Sequence, residues 1–219
     1  MIATAPKLAV LSGERRRECV VSAEDEAKYV TAASEPLASI ATVLADTGMR
    51  PEECFRLRWE HVTWLNGRNN VLLVTQGKTA SACRVLPMTP RVRAVLESHW
   101  TRTGKPEDGW VWLAGTRSAH VEPNSISGQH LKALTGSKVR PSVLYSLRHT
   151  FLTRLGESGC DAWTLAHIAG HSSAAISSRY VHPSEDRVLE AILRLGRHKI
   201  GHNELEGSSA QMENCSQVT

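Results

Sequence analysis

The stretch from His61 to Met88 does most to set the fold class, because the spacing of apolar residues switches there from a helical period to a strand period. HVTWL, the pair Asn66-Gly67, VLLV and, after Gln76-Gly77-Lys78-Thr79, CRVLP follow one another. Two strand-like runs separated by a segment holding Asn-Gly read as a β-hairpin. The third run extends it to a small three-stranded antiparallel sheet. Before and after this segment the pattern is helical. The expected fold is therefore mainly α with one small antiparallel sheet, an α+β arrangement.

The helix signals are local and physical. Ser22, with Asp25 three residues on, caps a first helix in the manner of a capping box. A second helix over 36–46 ends at Gly48, whose missing Cβ suits a left-handed position. Pro51 opens a third, since its absent N–H is not needed there. Further helices are predicted over 91–99, 124–134, 143–157, 162–169, 174–179 and 185–195, and 110–113 reads as a short strand or a buried loop. Residues 1–21 lack periodicity and hold the run Glu14-Arg15-Arg16-Arg17-Glu18, as a linker or arm would. Residues 201–219 are polar and are expected to form a disordered tail.

Composition narrows the partners. A chain of 219 residues with 41% hydrophobic content suits one large globular domain. No apolar run approaches the ~20 residues of a membrane helix, and no signal-type stretch opens the chain. The expected location is the cytoplasm. Five scattered cysteines without a C-x-x-C pair argue against a disulfide framework or a cysteine zinc site. The formal charge of +4 is only mildly basic, but arginine far outnumbers lysine, and its planar fork of donors matches phosphate oxygens. Surface solubility accounts for the same residues equally well.

Three motif fragments fail on their context. QGKT ends like a phosphate-binding loop, but Leu72 stands where the first glycine belongs. GHSSA resembles a nucleophile elbow, but the preceding TLAHIA has helical rather than strand spacing, and Ala174 replaces the last glycine. His167 and His171 have the spacing of a helical zinc pair, yet Gly170 interrupts the helix between them and no third ligand is evident. His167 reads as a helix-face residue.

Four pieces fit one chemistry. TGMRPEE places Arg50 at a rigid corner between Gly48 and Pro51. Lys78 sits in the loop between the second and third strands. In YSLRHTFLTRL, Leu147, Phe151 and Leu155 make a buried stripe, Tyr145 and Arg148 lie one turn apart, and His149 reads as a structural hydrogen-bonding residue. GHSSAAISSRY puts Tyr180 nine positions after His171. Taken singly, Arg50 and Lys78 would read as solvated surface residues, and Tyr180 as a core aromatic.

Together these blocks resemble the catalytic domain of the tyrosine recombinases, the phage-integrase family. TGMRPEE is similar to that family's first arginine block, with Glu53 on its acidic position. Lys78 corresponds to the hairpin lysine, LRHTF to the second arginine block, and GHSS with its following tyrosine to the last. The blocks stand in the family's order. The resemblance covers roughly residues 22–195 and implies a catalytic domain over 22–200, with the family's N-terminal DNA-clamping domain absent from this chain.

The resemblance implies DNA strand cleavage by transesterification. Tyr180 would attack a backbone phosphate, giving a 3′-phosphotyrosyl link and a free 5′-hydroxyl, and rejoining would reverse the step without ATP, metal or other cofactor. A phenol is a weak nucleophile at neutral pH unless its proton is taken up. Arg50 and Arg148 would clamp the phosphate oxygens, Lys78 would protonate the leaving oxygen, and His171 would contact the phosphate or position Tyr180. The family most often has histidine where this chain has Tyr145, so the group that takes the phenol proton is open. Tyr145 is expected to orient the phosphate, with Glu53 supporting the arginines from behind. The implied partners are double-stranded DNA and further copies of the chain on it, as dimer or tetramer, with nucleoid association when bound and no membrane. Segment 185–195 corresponds to the helix that family members pass to a neighbour. The alternative is a non-catalytic or partner-dependent DNA-binding relative. A type IB topoisomerase would share the chemistry on a different build.

Overall fold

The computed structural model describes residues 19–64, 70–75, 82–181, 188–189 and 192–193. The Asn66-Gly67 turn, Lys78, the segment 1–18 and the tail 201–219 lie outside the described residues.

Helix α1 (Ala23–Ala32) begins where Ser22 Oγ accepts the Asp25 N–H. Helix α2 (Leu37–Thr47) is apolar on most of its circumference, and Leu37, Ile40, Val43 and Leu44 are wholly buried. It ends at Gly48, whose φ of 64° is the left-handed value a glycine adopts without strain. A Cβ at Gly48 would also overlap the Phe151 ring. Helix α3 (Pro51–Phe55) follows directly, and a 3₁₀ turn (Trp59–His61) leads into the sheet.

Strands β1 (Val62–Thr63), β2 (Val71–Val74) and β3 (Arg84–Pro87) form one antiparallel sheet in the order β1-β2-β3. Val62 faces Leu72, and Leu72 faces Leu86. Along these strands Leu72, Val74 and Leu86 are buried while Leu73 and Val85 are exposed, so one face joins the core. Arg84 shares that buried face.

Helix α4 (Pro90–Arg102) starts under the Thr89 side chain, which accepts the Val92 N–H. The expected element at 110–113 is a buried loop held by single bridges, Arg58 to Trp110 and Leu113 to His120, with Val111 and Trp112 inside. Then come α5 (Pro123–Ser137), α6 (Tyr145–Glu157), α7 (Ala162–Ala169) and α8 (Ala174–Ser177), which tightens into a 3₁₀ turn (Ser178–Tyr180). Residues 188–189 and 192–193 are helical again.

The buried face of α6 differs from the predicted stripe. Leu147 is buried, but Phe151 and Leu155 are only partly covered, while Arg148 and Leu152 are sealed. The reason is that α6 packs against α2 as well as against α7 and the turn at Tyr180. Its covered arc is therefore wider than one stripe. Leu147 joins the main core, and Leu152 joins a smaller cluster with Leu165, Ala169 and Tyr180. A buried carboxylate, Glu26, ties three helices together by accepting from Arg91 of α4 and Arg154 of α6. No helix among the described residues is long and apolar enough to cross a membrane.

Candidate active site

The site is organised by the C-terminal end of α7. A helix end leaves its last carbonyls without intrahelical donors. Here the backbone satisfies two of them: Gly170 N–H donates to His167 O at 3.1 Å and His171 N–H to Ala166 O at 2.9 Å, with Gly170 at φ 63°. This is the paired bonding of a Schellman cap. The next three carbonyls receive arginines from three other elements. Arg84 Nε donates to Ile168 O at 2.7 Å, Arg148 Nη2 to Ala169 O at 2.8 Å, and Arg50 Nη2 to Gly170 O at 3.0 Å. Cations are favoured at this negative end of the helix dipole. A Cβ at Gly170 would press into the Arg84 guanidinium, so the cap also needs glycine for space.

Two of the arginines share a carboxylate. Glu53 pairs with Arg50 Nη1 at 2.7 Å and with Arg84 Nη2 at 2.8 Å, and it also accepts the Arg50 backbone N–H at 2.8 Å. Burial works against its charge, but the hydrogen bond and charge of Arg84, followed by the bonds from Arg50, outweigh it and hold the carboxyl below the usual range. Arg84 has a wholly buried side chain, whereas that of Arg50 is 35% exposed.

Arg148 is different. It is sealed from solvent, and its nitrogens donate to Gly48 O at 2.6 Å, Ala169 O and His171 Nε2 at 3.1 Å. Its Nε has no partner among the described residues, and no carboxylate bonds to it there. Burial draws its guanidinium below the ordinary value. Tyr145, 46% exposed, lays its ring 5.9 Å from the Arg148 Cζ. Beside Arg50 and Tyr145 opens a cavity of about 480 Å³, walled by Phe55, Ile126 and Val143.

His171 has a defined tautomer. A guanidinium only donates, so Nε2 accepts from Arg148 and Nδ1 carries the proton, donating to Ser177 Oγ at 2.8 Å. Burial first, then the charges of Arg148 and Arg50, pushes its pKa down to about 4. The ring is neutral at pH 7 and stacks near Tyr180, with centroids 6.5 Å apart.

Tyr180 is 5% exposed. Arg179 Nη2 reaches its Oη at 3.2 Å, and His149 Nδ1 lies 3.4 Å from the same oxygen. Its backbone lies so close to α6 that a Cβ on Gly156 would overlap the Tyr180 carbonyl oxygen. Among the described residues no group of three or more His, Cys, Asp or Glu could hold a metal ion.

The fold thus brings Arg50, Glu53, Arg148 and His171 into one network, places Tyr145 at its rim and sets Tyr180 against the His171 ring. Lys78 lies outside the described residues. Sequence reasoning missed Arg84, although a signal existed: in CRVLP the alternation that turns Leu86 inward also turns Arg84 inward. It also missed the meeting of His149 with Tyr180, for which a separation of 31 positions leaves no local signal.

The family model described as the phage integrase family matches residues 20–187. The chain is 28% identical over 166 residues to tyrosine recombinase XerD of Brucella suis, covering 71% of this chain and 51% of that one. It is 24% identical over 180 residues to tyrosine recombinase XerC of Pediococcus pentosaceus, covering 76% and 56%. The chain spans about half the length of these curated relatives. Among solved structures, the integrase of the Tn1549 transposon in complex with circular intermediate DNA superposes with a TM-score of 0.64 at 19% identity, covering 84% of this chain and 69% of that one.

Proposed function

The chain belongs to the phage integrase family, and from that premise we propose that it cleaves and rejoins DNA strands at specific sites through a 3′-phosphotyrosyl intermediate. Residues 22–200 act as the catalytic domain. Tyr180 is the nucleophile, Arg50 and Arg148 clamp the phosphate, Lys78 protonates the leaving 5′-oxygen, and Tyr145 orients the phosphate.

The observation that carries this reading is the convergence of Arg50, Arg148 and His171 on one helix end, beside Tyr180. Arg148 is the sharpest part of it. A buried cation without a carboxylate is costly, and a phosphodiester anion supplies the missing charge. Charge that gathers on the non-bridging oxygens in the transition state would meet donors already held in place. Because the Tyr145 ring lies against Arg148, that ring turns aside as the phosphate enters. His171 is neutral with its proton committed to Ser177, so it positions rather than protonates until an anion arrives. The arginines supply the positive charge, and the step uses neither ATP nor metal.

Double-stranded DNA is the partner in this reading, with nucleoid association when bound. Copies of the chain assemble on it. Val188, Leu189, Ile192 and Leu193 are all more than half exposed, and a second copy would cover them.

The test is covalent capture. The full chain is incubated with a pool of nicked duplexes of randomised sequence, and protein–DNA adducts that survive detergent are recovered and sequenced. An adduct that disappears in Tyr180→Phe is the expected result. DNA binding without any Tyr180-dependent adduct would favour the non-catalytic relative.

A further inference from the structure

We propose that His149 is the base that takes the proton from the Tyr180 phenol as the strand is cut. This rests on the strand-transfer reading above and names a residue for the step that Tyr145 leaves open.

The hydrogen-bond roles around one oxygen, Tyr180 Oη, point to this base. Arg179 Nη2 lies 3.2 Å from Tyr180 Oη and can only donate to it. The phenol must then direct its own proton elsewhere. With its own proton on Nε2, His149 Nδ1, 3.4 Å from Oη, is placed to accept it, and the His149 ring centroid lies 5.4 Å from that of Tyr180. The distance is long for a formed bond, as catalytic contacts commonly are before substrate is bound. The other groups nearby are not placed to accept that proton. Arg148 donates into His171 Nε2, and the second nitrogen of that ring carries the proton given to Ser177. Arg179 cannot give up a proton at neutral pH. Tyr145 is itself a phenol and stands over Arg148 rather than over Tyr180.

The step balances. A bond forms between Tyr180 Oη and phosphorus while the Oη proton passes to His149 Nδ1. The bond from phosphorus to the 5′-oxygen breaks, and that oxygen takes a proton from Lys78. On rejoining, the incoming 5′-hydroxyl returns its proton to Lys78, and the phenolate recovers one from His149. Arg179, over the Tyr180 ring at 5.0 Å and bonded to Oη, stabilises the negative charge that develops there. His149 also follows Arg148 directly on α6, so base and clamp ride on one rigid element.

The experiment uses a duplex recovered by the covalent capture above and measures the single-turnover rate of adduct formation. His149→Ala and His149→Gln should each slow the rate by on the order of 10²- to 10⁴-fold, with unfolding curves confirming a folded chain. The deciding arm replaces Tyr180 by a fluorinated tyrosine, whose more acidic phenol needs less help from a base. In the His149→Ala background this replacement should restore most of the lost rate. A parental rate in His149→Ala would overturn the proposal, and so would a faster one, which would make His149 a latch on the resting phenol. A slow variant that the fluorinated tyrosine does not rescue would assign His149 a structural role only. Absence of any Tyr180-dependent adduct in the parent chain would instead remove the strand-transfer reading itself.

Discussion

Arg84 and Arg148 are both sealed inside the molecule and both donate to the end of α7, yet they are held in opposite ways. Arg84 meets Glu53 through both terminal nitrogens and is fully compensated. Arg148 has two carbonyls and a neutral histidine, and among the described residues its Nε has no partner. A paired buried cation holds its surroundings together, and removing one partner strands the other. A buried cation with no acid bonded to it is a standing demand for an anion. The frame and the proposed phosphate receptor are built from the same residue type at the same helix end. What separates them is whether a carboxylate was placed beside them.

That contrast can be broken in three places. The largest effect is expected from Arg84→Met. It leaves Glu53 buried with Arg50 alone, and stability should fall by about 3–5 kcal/mol, measured by denaturant unfolding. A loss below about 1 kcal/mol would mean that Arg50 suffices and that Arg84 is not the frame. Arg148→Met should do the converse. Adduct formation should fall on the order of 10²- to 10³-fold while stability moves less than in Arg84→Met. An unfolding shift as large as that of Arg84 would collapse the distinction.

The smallest effect is a pH dependence. His171 has a folded pKa of about 4 against an ordinary 6.5, so below 6.5 the unfolded chain binds a proton that the folded chain refuses. The stability it contributes is fully present above pH 6.5 and is lost as pH falls toward 4. His171→Gln should flatten that part of the stability profile. Equal slopes in the two proteins would show that neither burial nor the arginines hold the His171 pKa down.

Much of the fold was legible because its signals are short-range. Ser22, Gly48 and Pro51 act within one turn of themselves, and the helix over 162–169 has the bounds its spacing predicts. The three-stranded antiparallel sheet followed from the apolar period of VLLV and CRVLP and the hairpin signal before them. What sequence could not disclose were facts about neighbours. That α6 is covered on two sides, so that Arg148 is sealed and Phe151 is not, depends on which elements pack against it. Which three carbonyls receive the arginines depends on the cap at Gly170 and on three segments far apart in the chain. Arg50, Arg148, His171 and Tyr180 could be named from blocks of sequence, but their division into paired and unpaired cations could not. Arg84 was passed over because an inward charge in a strand goes against the ordinary rule of burial.

The close seat of Tyr180 on Gly156 has a metrological consequence. Arg148 and Gly156 are eight positions apart on the same helix, about 12 Å along its axis. The proposed clamp and nucleophile are thus gauged from one rod, with no loop in the dimension between them. Any tilt or drift of α6 carries both datum points together, and the tolerance on their spacing is set only by how far a short helix can bend.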